Sequence, residues 1–389
     1  MASIPGTHYD VFSGNQAVNF GGPISGDFNV EVITNGSGTG NFALAPGFQA
    51  LTVVNVNGNV MTALHGDFAV VDNGTNDQIL LGDGNTSVGG GVGDTLFGGT
   101  GGAQFLDAHT GNQDVVLGSA GNATVFSGGG DTISGGSGGN ATIGGVAGDT
   151  INLSGSTGNG FAFVDGHLGN QLIVGGNSGS NLIWGGAGDT IAGGGAAAET
   201  IGGVAGDTIT GGTGNEFIDG SLGGQSITGG SAGNETIWGG PGDTINGGTG
   251  ANVTIGGAAG DTLTGGSGNA FLDADHGNQS VVGGSGNSTI WGASGDTIQG
   301  ASGSGQAQIG FGATHTSETL WDDGTATGQD TVSDFHTATD HISLAAGENV
   351  TSSQVVGGNS VQITLSNGST ITFVGTTDVG GILGTVTHH

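Results

Sequence analysis

Eight aspartates recur in a Gly-Asp-Thr-(Ile/Leu) motif, and carboxylates repeated at regular spacing could hold a hard metal ion. They are Asp94, Asp131, Asp149, Asp189, Asp207, Asp243, Asp261 and Asp296. Three pairs lie 18 residues apart, namely Asp131/Asp149, Asp189/Asp207 and Asp243/Asp261. Ca²⁺ prefers several oxygen ligands, carboxylates above all. The alternative is that each aspartate only forms a turn, since Asp is common in turns without any metal.

A second, longer period connects these motifs. Asp189, Asp243 and Asp296 are separated by 54 and 53 residues, and Asp165, Asp219 and Asp273 by 54. Since 54 is three times 18, the periods are nested, which is typical of stacked repeats. Residues 81–312 are therefore predicted to form an all-β solenoid, a parallel β-roll or β-helix.

One repeat unit, residues 202–210, shows how the stack would be built. Its Gly-rich half predicts a tight turn, and its Asp-Thr-Ile-Thr half predicts a short strand. Side chains alternate along a strand, so Asp207 and Ile209 are expected to point inward, while Thr208 and Thr210 point outward. Two units would form each 18-residue turn, with turns stacked about 4.8 Å apart.

This unit resembles the RTX nonapeptide Gly-Gly-x-Gly-x-Asp-x-U-x, in which U is apolar. The match is closest at residues 144–152, 202–210 and 256–264. The resemblance implies that Ca²⁺ is held by Asp carboxylates and Gly-turn carbonyls of adjacent turns, at the three aspartate pairs first. Some units are only eight residues long, and Asn234 and Asn287 replace expected aspartates. We therefore expect fewer ions than in a full RTX array.

The two ends of the chain differ from the repeats. Residues 1–80 contain strand-like runs at 28–33 and 51–56 and predict a β-rich N-terminal region or cap. Residues 313–389 contain Asp330-x-Val-x-Asp-Phe335-(x)₄-Asp340-x-Ile-x-Leu. This pattern resembles the C-terminal region of RTX exoproteins such as serralysins. The resemblance implies type I secretion, a C-terminal secretion β domain, and folding outside the cell in the presence of calcium.

The charge of the chain excludes several classes of partner. It has 32 acidic residues and neither Lys nor Arg, giving a formal net charge of −32. Nucleic acid is excluded because nothing could neutralise phosphates, and so is a polybasic membrane anchor. With no cysteine, disulfides are excluded. We expect no transmembrane segment and no N-terminal signal peptide, because neither pattern occurs.

Catalytic motifs are missing from the sequence, so we do not expect an enzyme. Neither His-Glu-x-x-His nor Gly-x-Ser-x-Gly occurs. His109, His167 and His276 do recur close after an aspartate. Such a row could bind a transition metal or a sugar, or it could mark one edge of each three-turn block.

Aromatic residues recur with the long period next to predicted core positions. They are Trp184, Trp238 and Trp291, and Phe163, Phe217 and Phe271. Alternation predicts that they point outward, three turns or about 14 Å apart. Rows of exposed aromatic side chains favour an interaction surface, and we expect lateral self-association. Alternatively, the rings lie flat over Gly-rich turns or beneath the N-terminal region.

These features together predict a secreted, calcium-binding structural protein that self-assembles into an extracellular layer, filament or matrix. An S-layer and a biofilm matrix are examples, and a cell-surface polysaccharide is a further candidate partner. One alternative is an adhesin or ice-binding solenoid that uses an outward threonine column, Thr190, Thr208, Thr244 and Thr262. Another is a secreted enzyme with an N-terminal active site.

Overall fold

The computed structural model of the chain consists almost entirely of β-strands. It describes residues 7–13, 28–34, 41–43, 50–54, 57–58, 60–62, 67–119, 121–156, 160–312, 317–325 and 327–389. The chain divides into two compact units, Met1–Ala198 and Glu199–His389. Each unit is a parallel β-solenoid, which confirms the predicted fold class.

Nineteen described strands belong wholly to the first unit. They are β1 (Thr7–Ser13), β2 (Phe28–Thr34), β3 (Asn41–Ala43), β4 (Ala50–Val54), β5 (Val60–Thr62), β6 (Phe68–Asp72), β7 (Gln78–Leu80), β8 (Thr86–Gly89), β9 (Thr95–Phe97), β10 (Ala103–Ala108), β11 (Asp114–Val116), β12 (Asn122–Ser127), β13 (Thr132–Ser134), β14 (Ala141–Gly144), β15 (Thr150–Asn152), β16 (Phe161–Gly166), β17 (Leu172–Val174), β18 (Ser180–Gly185) and β19 (Thr190–Ala192).

The remaining elements begin at the boundary between the units and run to the C-terminus. They are β20 (Ala198–Gly202), β21 (Thr208–Thr210), β22 (Asn215–Gly220), β23 (Ser226–Thr228), β24 (Asn234–Gly239), β25 (Thr244–Asn246), β26 (Asn252–Gly256), β27 (Thr262–Thr264), β28 (Asn269–Asp273), β29 (Ser280–Gly284), β30 (Ser288–Trp291), β31 (Thr297–Ala301), β32 (Ala307–Gly310), β33 (Thr319–Asp322), β34 (Gln329–Ser333), β35 (His341–Leu344), β36 (Val350–Val356), β37 (Ser360–Leu365), β38 (Thr370–Val374), α1 (Val379–Gly384) and β39 (Val386–His388).

In the first unit the strands alternate between two parallel sheets. β1, β2 and the even-numbered strands that follow form sheet A, whereas β3 and the odd-numbered strands that follow form sheet C. Successive strands of a sheet keep their core residues in register, as where Ile133 of β13 pairs with Ile151 of β15. This pairing does not change at residue 81, so the described strands before it continue the same coil.

The second unit repeats this arrangement and then departs from it near the C-terminus. Strands β22 to β34 alternate with β21 to β35 as before. After β35 the chain forms an antiparallel meander, β36–β37–β38, whose last strand returns parallel to β34. β39 then pairs with β35. Among the described residues, α1 is the sole helix and no helix has the length and hydrophobicity that crossing a bilayer requires.

On the three-residue strands of the solenoid the core is one apolar side chain wide. In sheet C of the second unit, Ile209, Ile227, Ile245 and Leu263 stack on successive turns, each at most 1% exposed. A turn alone cannot bury such a residue, so each turn is stable only against its neighbours. The predicted alternation is confirmed, because Asp207 and Ile209 are buried while Thr208 and Thr210 are exposed.

Glycine is required where neighbouring turns come into backbone contact. Gly139 has φ of 78°, and a Cβ there would overlap the carbonyl oxygen of Gly121 on the previous turn. Any larger residue would therefore push the two turns apart as well as strain its own backbone. The close stacking of turns accounts for much of the glycine content of the chain.

Candidate functional site

All eight predicted aspartates lie inside the coil. Asp94, Asp131, Asp149, Asp189, Asp207, Asp243, Asp261 and Asp296 are each at most 1% exposed. Each stands just before a sheet C strand and two residues before a core side chain, as Asp243 stands before Ile245. They belong to the interior of the turn and not to its solvent-facing surface.

Each of these carboxylates accepts hydrogen bonds from the backbone, and Asp243 shows the arrangement. Its Oδ2 accepts from the N–H of Gly240, three residues earlier, at 2.8 Å. Its Oδ1 accepts from the N–H of Gln225, one turn earlier, at 2.7 Å. Hydrogen bonds to a charged acceptor are the stronger kind, so the aspartate holds its own turn closed and ties it to the previous one. We call this arrangement the aspartate clamp.

The clamp also forms between paired aspartates. Oδ1 of Asp149 accepts from the backbone N–H of Asp131 at 2.9 Å, and Oδ1 of Asp261 from that of Asp243 at 2.9 Å. These two pairs therefore lie one turn apart, as predicted. Burial, with the neighbouring Asp149 charge, raises the pKa of Asp131 to about 6. Oxygen ligands suit Ca²⁺, and calcium at the pairs stays a prediction.

The third predicted pair spans the boundary between the two units, and each member makes its own clamp. Oδ2 of Asp189 accepts from the N–H of Gly186, and Oδ2 of Asp207 from that of Val204, both at 2.8 Å. The two single aspartates do likewise. Oδ2 of Asp94 accepts from Gly91 at 2.6 Å, and Oδ2 of Asp296 accepts from Ala293 at 2.7 Å.

Sequence reasoning missed the glutamines that occupy the turns without an aspartate. Gln113, Gln171, Gln225 and Gln279 are each at most 3% exposed. Their backbone N–H groups donate to the aspartate of the next turn, as that of Gln171 does to Asp189 at 2.7 Å. A block of three turns therefore carries Gln, Asp and Asp in one inward column. The 54-residue spacing of Gln171, Gln225 and Gln279 could have revealed these inward glutamines from the sequence.

Three buried glutamates were also missed. Glu199, Glu216 and Glu235 belong to sheet A strands of the second unit and are 3%, 5% and 3% exposed. Glu216 pairs directly with Glu235, and the N–H of Gly212 donates to Glu216. Burial, together with the charges of Glu199 and Glu235, raises the pKa of Glu216 to about 8. Burial raises the pKa of Glu235 to about 7. At neutral pH this column therefore retains protons.

The closest group of carboxylates lies in the first unit. Asp72, Asp77 and Asp94 each place an oxygen within 4.8 Å of the others, and all three are buried. Burial raises the pKa of Asp72 to about 9, and the charges of Asp94 and Asp77 add to the effect. Only Asp94 was predicted from the sequence. Asp72 lies outside the Gly-Asp-Thr motif, and Asp77 is followed by Gln and not Thr.

The predicted aromatic residues lie on the outward face of sheet A. Trp184, Trp238 and Trp291 are 42%, 45% and 54% exposed, which confirms their outward direction. Phe217 is exposed, and Phe163 and Phe271 are half-buried. The rings of Phe271 and Trp291 meet edge to face, with centroids 5.1 Å apart.

The outward column that contains the tryptophans repeats every three turns. In the second unit it carries Asp219, Trp238 and Gly256, followed by Asp273, Trp291 and Gly310. The Trp238 ring covers Gly256, where a Cβ would overlap ring atoms. The ring is thus seated on the next turn, as the alternative interpretation expected, and nevertheless keeps nearly half of its surface exposed.

The Asp/His row consists of exposed local pairs. Nδ1 of His109 lies 2.7 Å from Oδ1 of Asp107, and the same contact joins His167 to Asp165. His276 contacts Asp275 at 2.7 Å. Each histidine is about two-thirds exposed, so these pairs form part of the solvated surface. The alternative active site was expected in residues 1–80, and most of residues 1–66 lie outside the described residues.

The C-terminal motif consists mainly of packing residues. Val332, Ile342 and Leu344 are fully buried, and Phe335 packs edge to face on Phe373 at 4.9 Å. Oδ2 of Asp340 accepts from the N–H of His336 at 2.7 Å and closes the loop between β34 and β35. The apolar and acidic positions of the motif are thus explained by the fold of this region.

Comparison with known proteins returned no matching family model, no matching curated protein and no matching solved structure.

The aspartate clamp predicts a stability loss that does not depend on metal. Replacing Asp243 with Ala leaves two buried N–H groups without their acceptor, at a cost of about 3 kcal/mol or more. Urea unfolding followed by circular dichroism, in excess chelator, measures this loss. Thr244→Ala, an exposed change at the next residue, should shift stability by less than about 0.5 kcal/mol. Equal stabilities of Asp243→Ala and the parent protein in chelator would contradict the clamp.

The glutamate column predicts that stability falls as pH rises. The folded pKa of Glu216 is above the unfolded value, so the unfolded chain loses its proton first between about pH 4.5 and 8. Glu216→Gln imitates the protonated side chain and should match the parent at pH 4.5 but unfold at higher urea at pH 8.5. Asp219→Asn, on the outward face of the same strand, controls for net charge. The same urea midpoint shift at both pH values would count against this assignment.

Proposed function

We propose that this chain is a secreted, calcium-dependent structural protein that associates with copies of itself into an extracellular layer, filament or matrix. The observation that carries the proposal is the outward column of sheet A, which presents a tryptophan every third turn. Trp238 and Trp291 sit on a rigid parallel sheet and not on a mobile loop. A rigid row of exposed aromatic rings can meet another copy without a large loss of side-chain entropy.

The charge of the chain supports a requirement for cations. Two copies that each carry a net charge of −32 repel one another, and neither has a Lys or Arg to offer the other. Asp219 and Asp273 stand beside the tryptophans in the same outward column. Divalent cations bound between such carboxylates would remove the repulsion at the surface where the rings meet. The C-terminal resemblance to RTX exoproteins supports secretion into a calcium-containing medium.

A second candidate function rests on the outward face of sheet C. In the second unit Thr208, Ser226, Thr244 and Thr262 are exposed on successive turns, at the parallel-strand spacing of about 4.8 Å. Thr190 is the corresponding exposed residue in the first unit. A flat hydroxyl array favours a regular ligand surface such as ice or a polysaccharide. Thermal hysteresis in the purified protein, absent from a Thr208→Tyr/Thr244→Tyr variant, would support this candidate.

The assembly proposal predicts calcium-dependent particles that need the tryptophans. In calcium, the full chain should form ordered assemblies visible by electron microscopy, and chelator should disperse them. Trp238→Ser/Trp291→Ser should reduce the assembled fraction at least tenfold, measured by sedimentation. Leu172→Ser removes a similarly exposed apolar side chain, 44% exposed, from sheet C and should leave assembly unchanged. A parent protein that stays monomeric in calcium, or a tryptophan variant that assembles normally, would refute the proposal.

A further inference from the structure

The Asp72, Asp77 and Asp94 cluster is assembled from three segments of the first unit. Asp72 ends β6 in sheet A, whereas Asp77 and Asp94 immediately precede β7 and β9 in sheet C. Since β7 and β9 pair in parallel, Asp77 and Asp94 lie one turn apart. Asp72 is brought to the same place from the opposite sheet. Asp72 and Asp77 are near neighbours in sequence, and the stacking of β9 on β7 adds Asp94 to them.

Backbone N–H groups hold the carboxylates of Asp94 and Asp72 in place. Asp94 is a clamp residue, with Oδ1 accepting from the N–H of Asp77 at 2.8 Å and Oδ2 from that of Gly91. Oδ1 of Asp72 accepts from the N–H of Gly74 at 2.6 Å. These bonds fix the carboxylates in place, as a preorganised ligand set requires.

The second oxygen of Asp72 distinguishes this cluster from the rest of the clamp column. Asp72 is 2% exposed, and its buried Oδ2 receives no hydrogen bond from a backbone N–H; the side chain of Asp72 meets the carboxyl group of Asp77 instead. It belongs to a group whose members each have an oxygen within 4.8 Å of the others. Buried carboxylates that meet without a cationic partner are costly unless a proton or a metal ion lies between them. The chain contains no Lys or Arg that could neutralise them.

We propose that Asp72, Asp77 and Asp94 together bind one Ca²⁺ ion. Their donor set is entirely oxygen, which suits a hard cation. Ca²⁺ is favoured over Mg²⁺ because it tolerates irregular coordination by carboxylates from separate segments, whereas Mg²⁺ requires near-ideal octahedral geometry. Asp72 also lines a surface groove of about 490 Å³, together with Gly74 and Gly91, and this groove gives an ion a path from solvent.

This site deepens the proposed function, on whose calcium dependence it rests, by naming one place where the ion acts. It differs from the predicted aspartate pairs because it joins carboxylates of both sheets. Since its ligands come from β6, β7 and β9, a bound ion would cross-link three strands. Calcium should therefore stabilise this part of the first unit directly.

Calcium titration of the chelator-treated full chain, by isothermal titration calorimetry with CaCl₂ and then MgCl₂, tests the site. Asp72→Asn keeps the size of the side chain and leaves the clamp of Asp94 intact. It should weaken the tightest calcium binding at least tenfold, and the parent should bind Mg²⁺ much more weakly. Asp107→Asn, which alters a carboxylate lining the same groove, should leave that binding unchanged. Unaltered calcium binding by Asp72→Asn overturns the proposal.

A measurement on the parent protein keeps the test valid even where the variant folds poorly. Hydrogen–deuterium exchange of residues 72–94 should slow when calcium is added, and unchanged exchange there overturns the site. This experiment distinguishes failure of the calcium site from failure of the assembly proposal. Calcium-dependent particles without slowing at 72–94 reject this site alone, whereas slowing at 72–94 in a protein that never assembles rejects only the assembly.

Discussion

The structure depends on how a chain without Lys or Arg satisfies carboxylates inside a narrow coil. A buried carboxylate normally needs a cationic partner or several hydrogen bonds. Here backbone N–H groups supply them, as Gly240 and Gln225 do for Asp243. One bond lies within the turn and one reaches the previous turn, so the same side chain both shapes a turn and stacks it. The acidic interior is thus part of what holds the solenoid together.

Where buried carboxylates lie close together and backbone N–H groups do not satisfy all their oxygens, their protonation changes. Glu216 and Glu235 remain partly protonated near neutral pH, because burial raises their pKa values to about 8 and about 7. Asp72 lies beside Asp77 and the clamp residue Asp94, and its Oδ2 receives no backbone hydrogen bond. Backbone hydrogen bonds and protons are therefore two ways of meeting one electrostatic requirement, and the Ca²⁺ ion that we propose at Asp72 would be a third. The first operates along the whole column, and the second operates where carboxylates crowd together.

The three-turn period of the chain appears both in the inward column of clamp residues and in the outward column of sheet A. Inside, the column of clamps carries Gln, Asp and Asp, as at Gln225, Asp243 and Asp261. Outside, the sheet A column carries Asp, an aromatic ring and Gly, because the Trp238 ring needs the space that Gly256 leaves open. The exposed side of that ring then remains available to a partner. One repeat length thus serves both internal hydrogen bonding and external surface patterning.

The sequence by itself determined the solenoid, its approximate period and the direction of each side chain, because strand alternation and nested repeats depend only on local order. It therefore placed Asp207, Ile209 and the outward Trp238 correctly. It also located the eight aspartates on the inside. The tertiary structure alone decided their donors, since the N–H groups come from neighbouring turns. It likewise decided that Asp72 meets Asp94 and that Glu216 meets Glu235, because turn lengths vary and contacts that depart from the regular 18-residue spacing cannot be counted from it.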